Sequence, residues 1–446
     1  MVKVDLEELA ESTTAYGFWT RSRKAGALFL VLGGFAAALF GSLAPAGMAA
    51  RFTTVPAALF ADAEQHTVIP GLLQVAFAQG SLGMAFDLAA QPGAMVFGLL
   101  CSAVGIGLLT RLAAHHFWWA TALALTTFFM SFLCWQVAGE FMPVVSVARG
   151  TLIFSLPLIL GALGGLLCER AGVINIAIEG QLLMGAFAGA VVASLTSSVW
   201  LGLIGAALGG LVIGALLAVF AIRYLVDQIV LGVVLYVLAL GLTGYLYERV
   251  MQPNEELFGS PGRVPEVSIP ILSEIPVIGP LLFRTSVFVY LALVLVTLVY
   301  FGLFYTRWGI RVRAVGEHPT AADTVGIRVQ LVRYRNVLYG GMIAGLGGAF
   351  FTIGSNAAFT KNMTNGKGFI ALAALIFGRW SPTGAFAAAL LFGFADRMQI
   401  FLRSIDSEID SQFLAMAPYI ATLFAVAGLV GKVRPPAANG MPYVKN

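Results

Sequence analysis

Ten stretches of this chain (25–44, 94–110, 117–138, 150–168, 173–197, 199–222, 229–247, 286–305, 336–356 and 413–431) run almost free of charge for about the 20 residues that a helix needs to cross a bilayer. Ten runs of that length do not fit inside the core of a soluble domain. Composition leads the same way. Charged side chains make up 11% of the 446 residues, against roughly 25% in an average soluble domain. The apolar set reaches 59%, Gly adds 51 residues and mean hydropathy is +0.89. With 26 basic and 22 acidic side chains the chain could not clothe a water-facing surface of this size. Soluble globular, disordered and nucleic-acid-binding classes are excluded. The fold class is all-α, a polytopic transmembrane helix bundle.

The net charge of +4 follows from where the basic residues lie. Arg21, Arg23 and Lys24 precede the first apolar run and place the N-terminus in the cytoplasm. Four acids (Asp5, Glu7, Glu8, Glu11) come before them, so this run reads as an uncleaved first membrane helix, not a signal peptide. Loop 45–93 carries one Arg and three acids, and loop 248–284 three Arg and five Glu; both are expected outside. Loop 306–335 carries six Arg against Glu317 and Asp323 and is expected inside. The tail, with Lys432, Arg434 and Lys445, is expected inside too. Stretch 368–396 is apolar apart from Arg379-Trp-Ser-Pro382, and Pro382 must break or kink a helix there. An even number of crossings favours two short helices, giving about 12 membrane segments, some short or broken. Three regions follow: 1–149, an N-terminal extension with three membrane helices and an external loop expected to pack irregularly; 150–431, the main bundle; and 432–446, a cytoplasmic tail.

Within the bundle, Gly161/Gly165, Gly205/Gly209, Gly210/Gly214 and Gly341/Gly345 have the four-residue spacing that lets helix backbones approach closely. Cys101, Cys134 and Cys168 lie in apolar runs with no metal-ligand spacing and read as small buried hydrophobes. Polar residues inside an apolar run are expensive and mark function or helix pairing. Asn175 and Glu179, four apart, are expected on one helical face, with Gln181 turned elsewhere. Their amide and carboxyl groups suit the wall of a path for a polyhydroxylated or heterocyclic solute. The alternative is that Glu179 bridges Arg170 or backbone groups and only holds helices together. Ser355, Asn356 and the segment 361–368 form a second polar cluster, expected at the outer mouth of such a path or as a contact for a delivering protein, with Lys361 and Lys367 in solvated loop. Asp396 and Arg397 read as a local ion pair at a helix end.

No HExxH, GxSxG with partners, or intramembrane aspartate pair occurs, so no catalytic residues and no metal site are expected. The absence of GxxxxGK[ST] means that any ATP used in transport binds another chain. In loop 306–335, Pro319 fits the first turn of a short helix and Gly326 its stop.

That loop contains Gly316-Glu-His-Pro-x-Ala-Ala-x-x-x-Gly-Ile327, which resembles the coupling-helix motif of ABC-transporter permeases in the ribose and branched-chain amino-acid importer group. Glu169-Arg-Ala-Gly-Val-Ile-Asn-Ile-x-Ile-Glu-Gly180 and Gly366-x-Gly-Phe-Ile-Ala-Leu-Ala-Ala-Leu-Ile-Phe-Gly-Arg-Trp380 resemble the subgroup for nucleosides and simple sugars. The resemblance covers roughly 150–431 and implies an inner-membrane importer. Its other parts would be a second permease subunit (same or paralogous), ATPase subunits carrying ATP and Mg, and a periplasmic or lipoprotein solute-binding protein. It implies that Gly316, Glu317, Pro319, Ala321, Ala322 and Gly326 couple to the ATPase, and that Asn175, Glu179 and Gln181 lie near the substrate path, which Asn356 of the second polar cluster is expected to join at its outer mouth. An ion-coupled transporter with Glu179 as its coupling site is the competing expectation.

Overall fold

The computed structural model describes residues 21–54, 65–77, 84–110, 112–275, 277–405, 412–413, 416 and 434–445. Among these, ten helices are long and apolar enough to cross a membrane, and the protein is a multi-pass membrane protein. The expected segment 413–431 lies outside the described residues apart from 413 and 416. By contacts the chain divides into two units, one from Met1–Val147 with Phe401–Ile409, the other from Ala148–Ile400 with Asp410–Asn446.

The first unit holds α1 (Ser22–Leu43), α2 (Ala90–Leu109) and α3 (Phe117–Gln136). Phe40 of α1 stacks on Trp135 of α3, with ring centroids 5.1 Å apart. The described part of loop 45–93 is not irregular, contrary to what its Pro, Ala and Gly content suggests. It builds most of a five-stranded sheet from β1 (Ala49–Thr53), β2 (Gln65–Ile69), β3 (Leu73–Phe77) and β4 (Met84–Ala89), completed by β5 (Phe141–Pro143). The order is β2-β3-β4-β1-β5, antiparallel except for the parallel pair β1–β5. Composition misled because the ladder depends on partners far apart in sequence. Arg51 stands opposite Asp87 in the β1–β4 register and pairs with it at 2.5 Å, and its guanidinium lies 5.1 Å from the centre of the Phe141 ring. Opposite charges directly across strands, with a cation over an aromatic face, fix that register.

The second unit contains all but the first four residues of α4 (Val144–Arg170), then α5 (Ile178–Thr196), α6 (Val199–Arg223), α7 (Gln228–Phe258), α8 (Val287–Tyr305), α9 (Arg307–Glu317), α10 (Pro319–Thr324), α11 (Val329–Asn356) and α12 (Lys367–Phe377), and all but the last four residues of α13 (Pro382–Ser404). A hairpin of β6 (Glu266–Ser268) and β7 (Arg284–Ser286) precedes α8. Two helix starts are set locally. Asp227 accepts from the N–H groups of Ile229 and Val230 at the head of α7, and Ser286 accepts from Phe288 N–H at the head of α8. α4 runs through the interior, with Leu156, Leu158, Ile159, Leu160, Leu163 and Leu166 fully buried. α7 and α8 instead expose Val233, Val237, Leu298 and other aliphatic side chains, as lipid-facing helices do.

All four glycine pairs serve close packing. The clearest case is α6 against α11, where a Cβ on Gly345 would run into the carbonyl oxygen of Ala206 and the Cα of Gly210, and one on Gly210 into the carbonyl oxygen of Gly341. Cys101, Cys134 and Cys168 are free and buried. The stretch 368–396 is divided as Pro382 requires, though unequally: α12 has 11 residues, too few to span, and α13 has 23. Between them Arg379 and Trp380 both adopt left-handed backbone, φ +56° and +52°, an uncommon conformation for large side chains.

Candidate functional site

The polar residues singled out in 168–185 do not sit on one helix face. The chain leaves α4 at Arg170, turns through Gly172 at φ +87°, and is non-helical over 171–177; α5 begins only at Ile178. Asn175 therefore belongs to an unwound stretch and does not share a face with Glu179. Its Nδ2 donates to Gln181 Oε1 at 3.0 Å and to Cys168 Sγ at 3.4 Å. Both amides are completely buried. Asn175 Oδ1 and Gln181 Nε2 have no hydrogen-bond partner among the described residues, which leaves one acceptor and one donor facing the interior. Gln228 holds the unwound stretch from α7 by accepting from Ile174 N–H at 2.7 Å.

Glu179, also fully buried, turns the other way. Its Oε1 accepts from Thr364 Oγ1 at 2.6 Å and from Gly366 N–H at 2.8 Å; its Oε2 accepts from Gly368 N–H at 2.5 Å. The N-terminus of α12 has no capping side chain of its own, and Glu179 supplies one from 187 residues away. Gly368 is needed because a Cβ there would lie 2.5 Å from Glu179 Cα. Of the two readings open from sequence, the geometry gives Glu179 the backbone-bridging contacts; its partner is not Arg170.

The opposite end of α12 is held by the same segment. Trp380 Nε1 donates to Glu169 Oε2 at 2.5 Å, and Arg170 Nε donates to the Trp380 carbonyl at 2.8 Å. Glu169 and Glu179 thus clamp α12 at its two ends, and the two sequence motifs form one structural object. Sequence reading missed Glu169, Trp380, Thr364 and Gln228. The usable signal was a helix start at 366–368 with no Ser, Thr, Asp or Asn cap, which had to draw an acceptor from elsewhere.

Asn356 stands apart. It is exposed at the end of α11 and its Oδ1 accepts from Ser355 Oγ at 3.4 Å. The following segment is solvated loop only in part: Lys361 is exposed, as expected, and pairs with the exposed Glu248 at 2.6 Å, but Thr364 is fully buried and Lys367 is drawn inward to Asp396 at 2.5 Å. Asp396, expected at a helix end beside Arg397, lies within α13 and is bridged to α12 by Lys367.

α9 and α10 form an elbow at His318. Thr306 Oγ1 accepts from Gly309 N–H at the start of α9, Pro319 opens α10, and Gly326 at φ +83° ends the turn beyond it. Gly316 and Ala322 are buried against the bundle, while Glu317, Ala321 and Gly326 are exposed and Pro319 is half-buried. The outward surface also includes Thr320, Thr324 and Val325, the last 74% exposed. A short helix face of small and apolar side chains turned outward, in a loop that also exposes Arg307, Arg311, Arg328 and Arg335, is suited to gripping a partner.

Comparison with known proteins agrees with this architecture. Residues 147–430 match the family described as branched-chain amino acid transport system / permease component. The guanosine ABC transporter permease protein NupQ of Bacillus subtilis is 40% identical over 316 residues, 67% of this chain and 96% of the relative. The nucleoside ABC transporter permease protein NupC of Lactococcus lactis is 38% identical over 309 residues, 67% of this chain and 97% of the relative. No solved structure gives a significant match. With the elbow, the clamped short helix and the packed glycine faces all inside the matched region, this chain belongs to the family of permease components of branched-chain amino acid transport systems.

Proposed function

We propose that the chain is the membrane-spanning permease subunit of a binding-protein-dependent ABC importer for nucleosides, with simple sugars as the competing solute class. The observation that carries this reading is the discontinuity inside the bundle: an unwound stretch, 171–177, and a half-length helix, α12, with the half-satisfied amides of Asn175 and Gln181 buried where the unwound stretch gives way to α5. Transporters place solute sites at such broken helices, where backbone polar groups line a cavity. One free acceptor and one free donor match the mixed edges of a nucleobase or sugar. The names of the relatives at 40% and 38% identity support nucleosides over other polar solutes.

The other parts follow from the same reading. The exposed face of α10 docks a separate ATPase subunit that binds ATP and Mg, a second permease subunit completes the path, and an external binding protein delivers solute near Asn356. Both termini are cytoplasmic and the membrane is the bacterial inner membrane. Displacement of α9–α10 reaches the path through Gly316, where a Cβ would run into the Arg170 carbonyl, and then through Glu169 to Trp380 and α12. Such a device works only if the ATPase contacts α10 differently in its two states.

The test is uptake of radiolabelled guanosine against ribose by cells expressing the complete importer, with Asn175→Ala and Gln181→Ala variants beside the unaltered chain. Saturable guanosine uptake, lost in both variants at unchanged membrane levels and insensitive to an uncoupler at constant ATP, is the expected result. Uptake abolished by the uncoupler would replace the ABC reading with ion coupling.

A further inference from the structure

Residues 434–445 are tied by five hydrogen bonds, a packed ring and an ion pair, and all of these fall on the elbow or its neighbours. Ala438 N–H donates to the Gly316 carbonyl at 2.9 Å, and Ala437 N–H donates to Glu317 Oε2 at 3.2 Å. Asn439 Nδ2 donates to Glu169 Oε2 at 3.0 Å, on the same oxygen that Trp380 holds. Gly440 N–H donates to the Gly172 carbonyl at 3.3 Å, and Arg333 Nη1 of α11 donates to the Met441 carbonyl at 2.9 Å. Tyr443, 7% exposed, packs with Val315, Ala322 and Val329, and Lys445 Nζ lies 3.6 Å from Asp323 Oδ1 of α10. Pro435, Pro436 and Pro442 restrict the segment before it docks, which lowers the entropy lost on docking.

The segment therefore bridges three elements that the coordinated motion of an elbow would otherwise shear apart: α9–α10, the 169–172 turn, and the start of α11. We propose that residues 436–445 are a positioning strap that makes α9–α10 and the Glu169 turn move as one body, so that a push on α10 is delivered to α12 instead of being lost in the elbow. Asn439 is its central residue, because it alone reaches from the strap to the carboxylate that holds Trp380. This inference rests on the reading of α10 as the ATPase contact and adds the part that makes the contact stiff.

The experiment uses the intact importer in membrane vesicles, comparing the full chain, a chain ending after residue 433, and Asn439→Ala. It reads hydrogen exchange of amides 316–326, labelled guanosine uptake, and ATP hydrolysed in the same vesicles. Without the strap, amides 316–326 should exchange about tenfold faster while those of α5 are unchanged. The ratio of solute carried to ATP hydrolysed should fall about tenfold in the truncated chain and several-fold in Asn439→Ala, with the ATPase subunit still bound. Unchanged exchange in 316–326, or faster exchange with an unchanged ratio, overturns the strap. Loss of the ATPase subunit on truncation overturns it also, since the tail would then be the dock itself. Should the truncated chain fail to insert, Asn439→Ala alone decides, by the same ratio. The underlying reading fails separately: a cysteine placed at Val325 of the full-length chain would not cross-link to the ATPase subunit.

Discussion

The indole N–H of Trp380 donates to Glu169 Oε2 at 2.5 Å, joining segments 211 residues apart and fixing the end of α12 against the end of α4. Trp380 is 6% exposed and Glu169 3%. Replacing the indole by a ring without a donor, Trp380→Phe, keeps most of the packing but leaves Glu169 with Asn439 as its remaining side-chain donor. Leaving a buried acceptor short of a partner costs about 1–3 kcal/mol. The purified importer should unfold at correspondingly lower temperature, and guanosine uptake should drop several-fold at equal membrane levels. Uptake equal to that of the unaltered chain would show that the pair carries no load.

Glu179 is the heavier loss. Glu179→Ala strands the N–H groups of Gly366 and Gly368 and the Thr364 hydroxyl, at about 1–3 kcal/mol for each donor left unpaired. Glu179→Gln keeps one acceptor but turns an NH₂ toward donors. The expected order of uptake is unaltered chain, then Gln, then Ala with none measurable. An Ala variant that transports normally would remove Glu179 from the path and from the clamp alike.

Gly345→Leu forces a side chain between α11 and α6 where the backbone of Ala206 and Gly210 already lies. Overpacking of this kind costs roughly 1–3 kcal/mol and more when backbone must move. The fraction of protein recovered as a single species after detergent extraction should fall sharply, whereas Gly34→Leu, with open space around its Cβ position, should extract normally.

Alkaline pH should release the tail. Burial, and then the hydrogen bond and charge of Asp323, push the Tyr443 phenol above its ordinary value. The docked state thus favours the neutral phenol. Its contribution is present in full below the unfolded value of about 10, and is lost as pH rises beyond that toward the raised docked value. Proteolysis of the tail should be slow and pH-independent up to pH of about 10 and should accelerate above it. Tyr443→Phe, which has no phenol proton to lose, should reduce that acceleration.

The parts of this fold that rest on near neighbours were readable from the chain. Pro319 and Gly326 bracket α10, Pro382 breaks the 368–396 stretch, and the four-residue glycine spacings mark the close helix faces. What could not be read depends on residues brought together across the sequence. Asn175 meets Gln181 because α5 starts at Ile178, and the unwound stretch before it survives only because Gln228 and the Gly172 contacts satisfy its backbone. Periodicity alone extends a helix through such a stretch. Lys367 finds Asp396, Glu179 finds Gly366, and β1 finds β5, each across a separation where pattern carries no signal.

The clamp on α12 also acts as a ruler. Two glutamates ten positions apart each meet one end of an 11-residue helix, and each residue of that helix adds about 1.5 Å. A single insertion within 170–178, or within α12, would put one end out of hydrogen-bonding reach while the other still held. Selection should therefore tolerate exchanges of side chain along both segments far more readily than any change in their lengths.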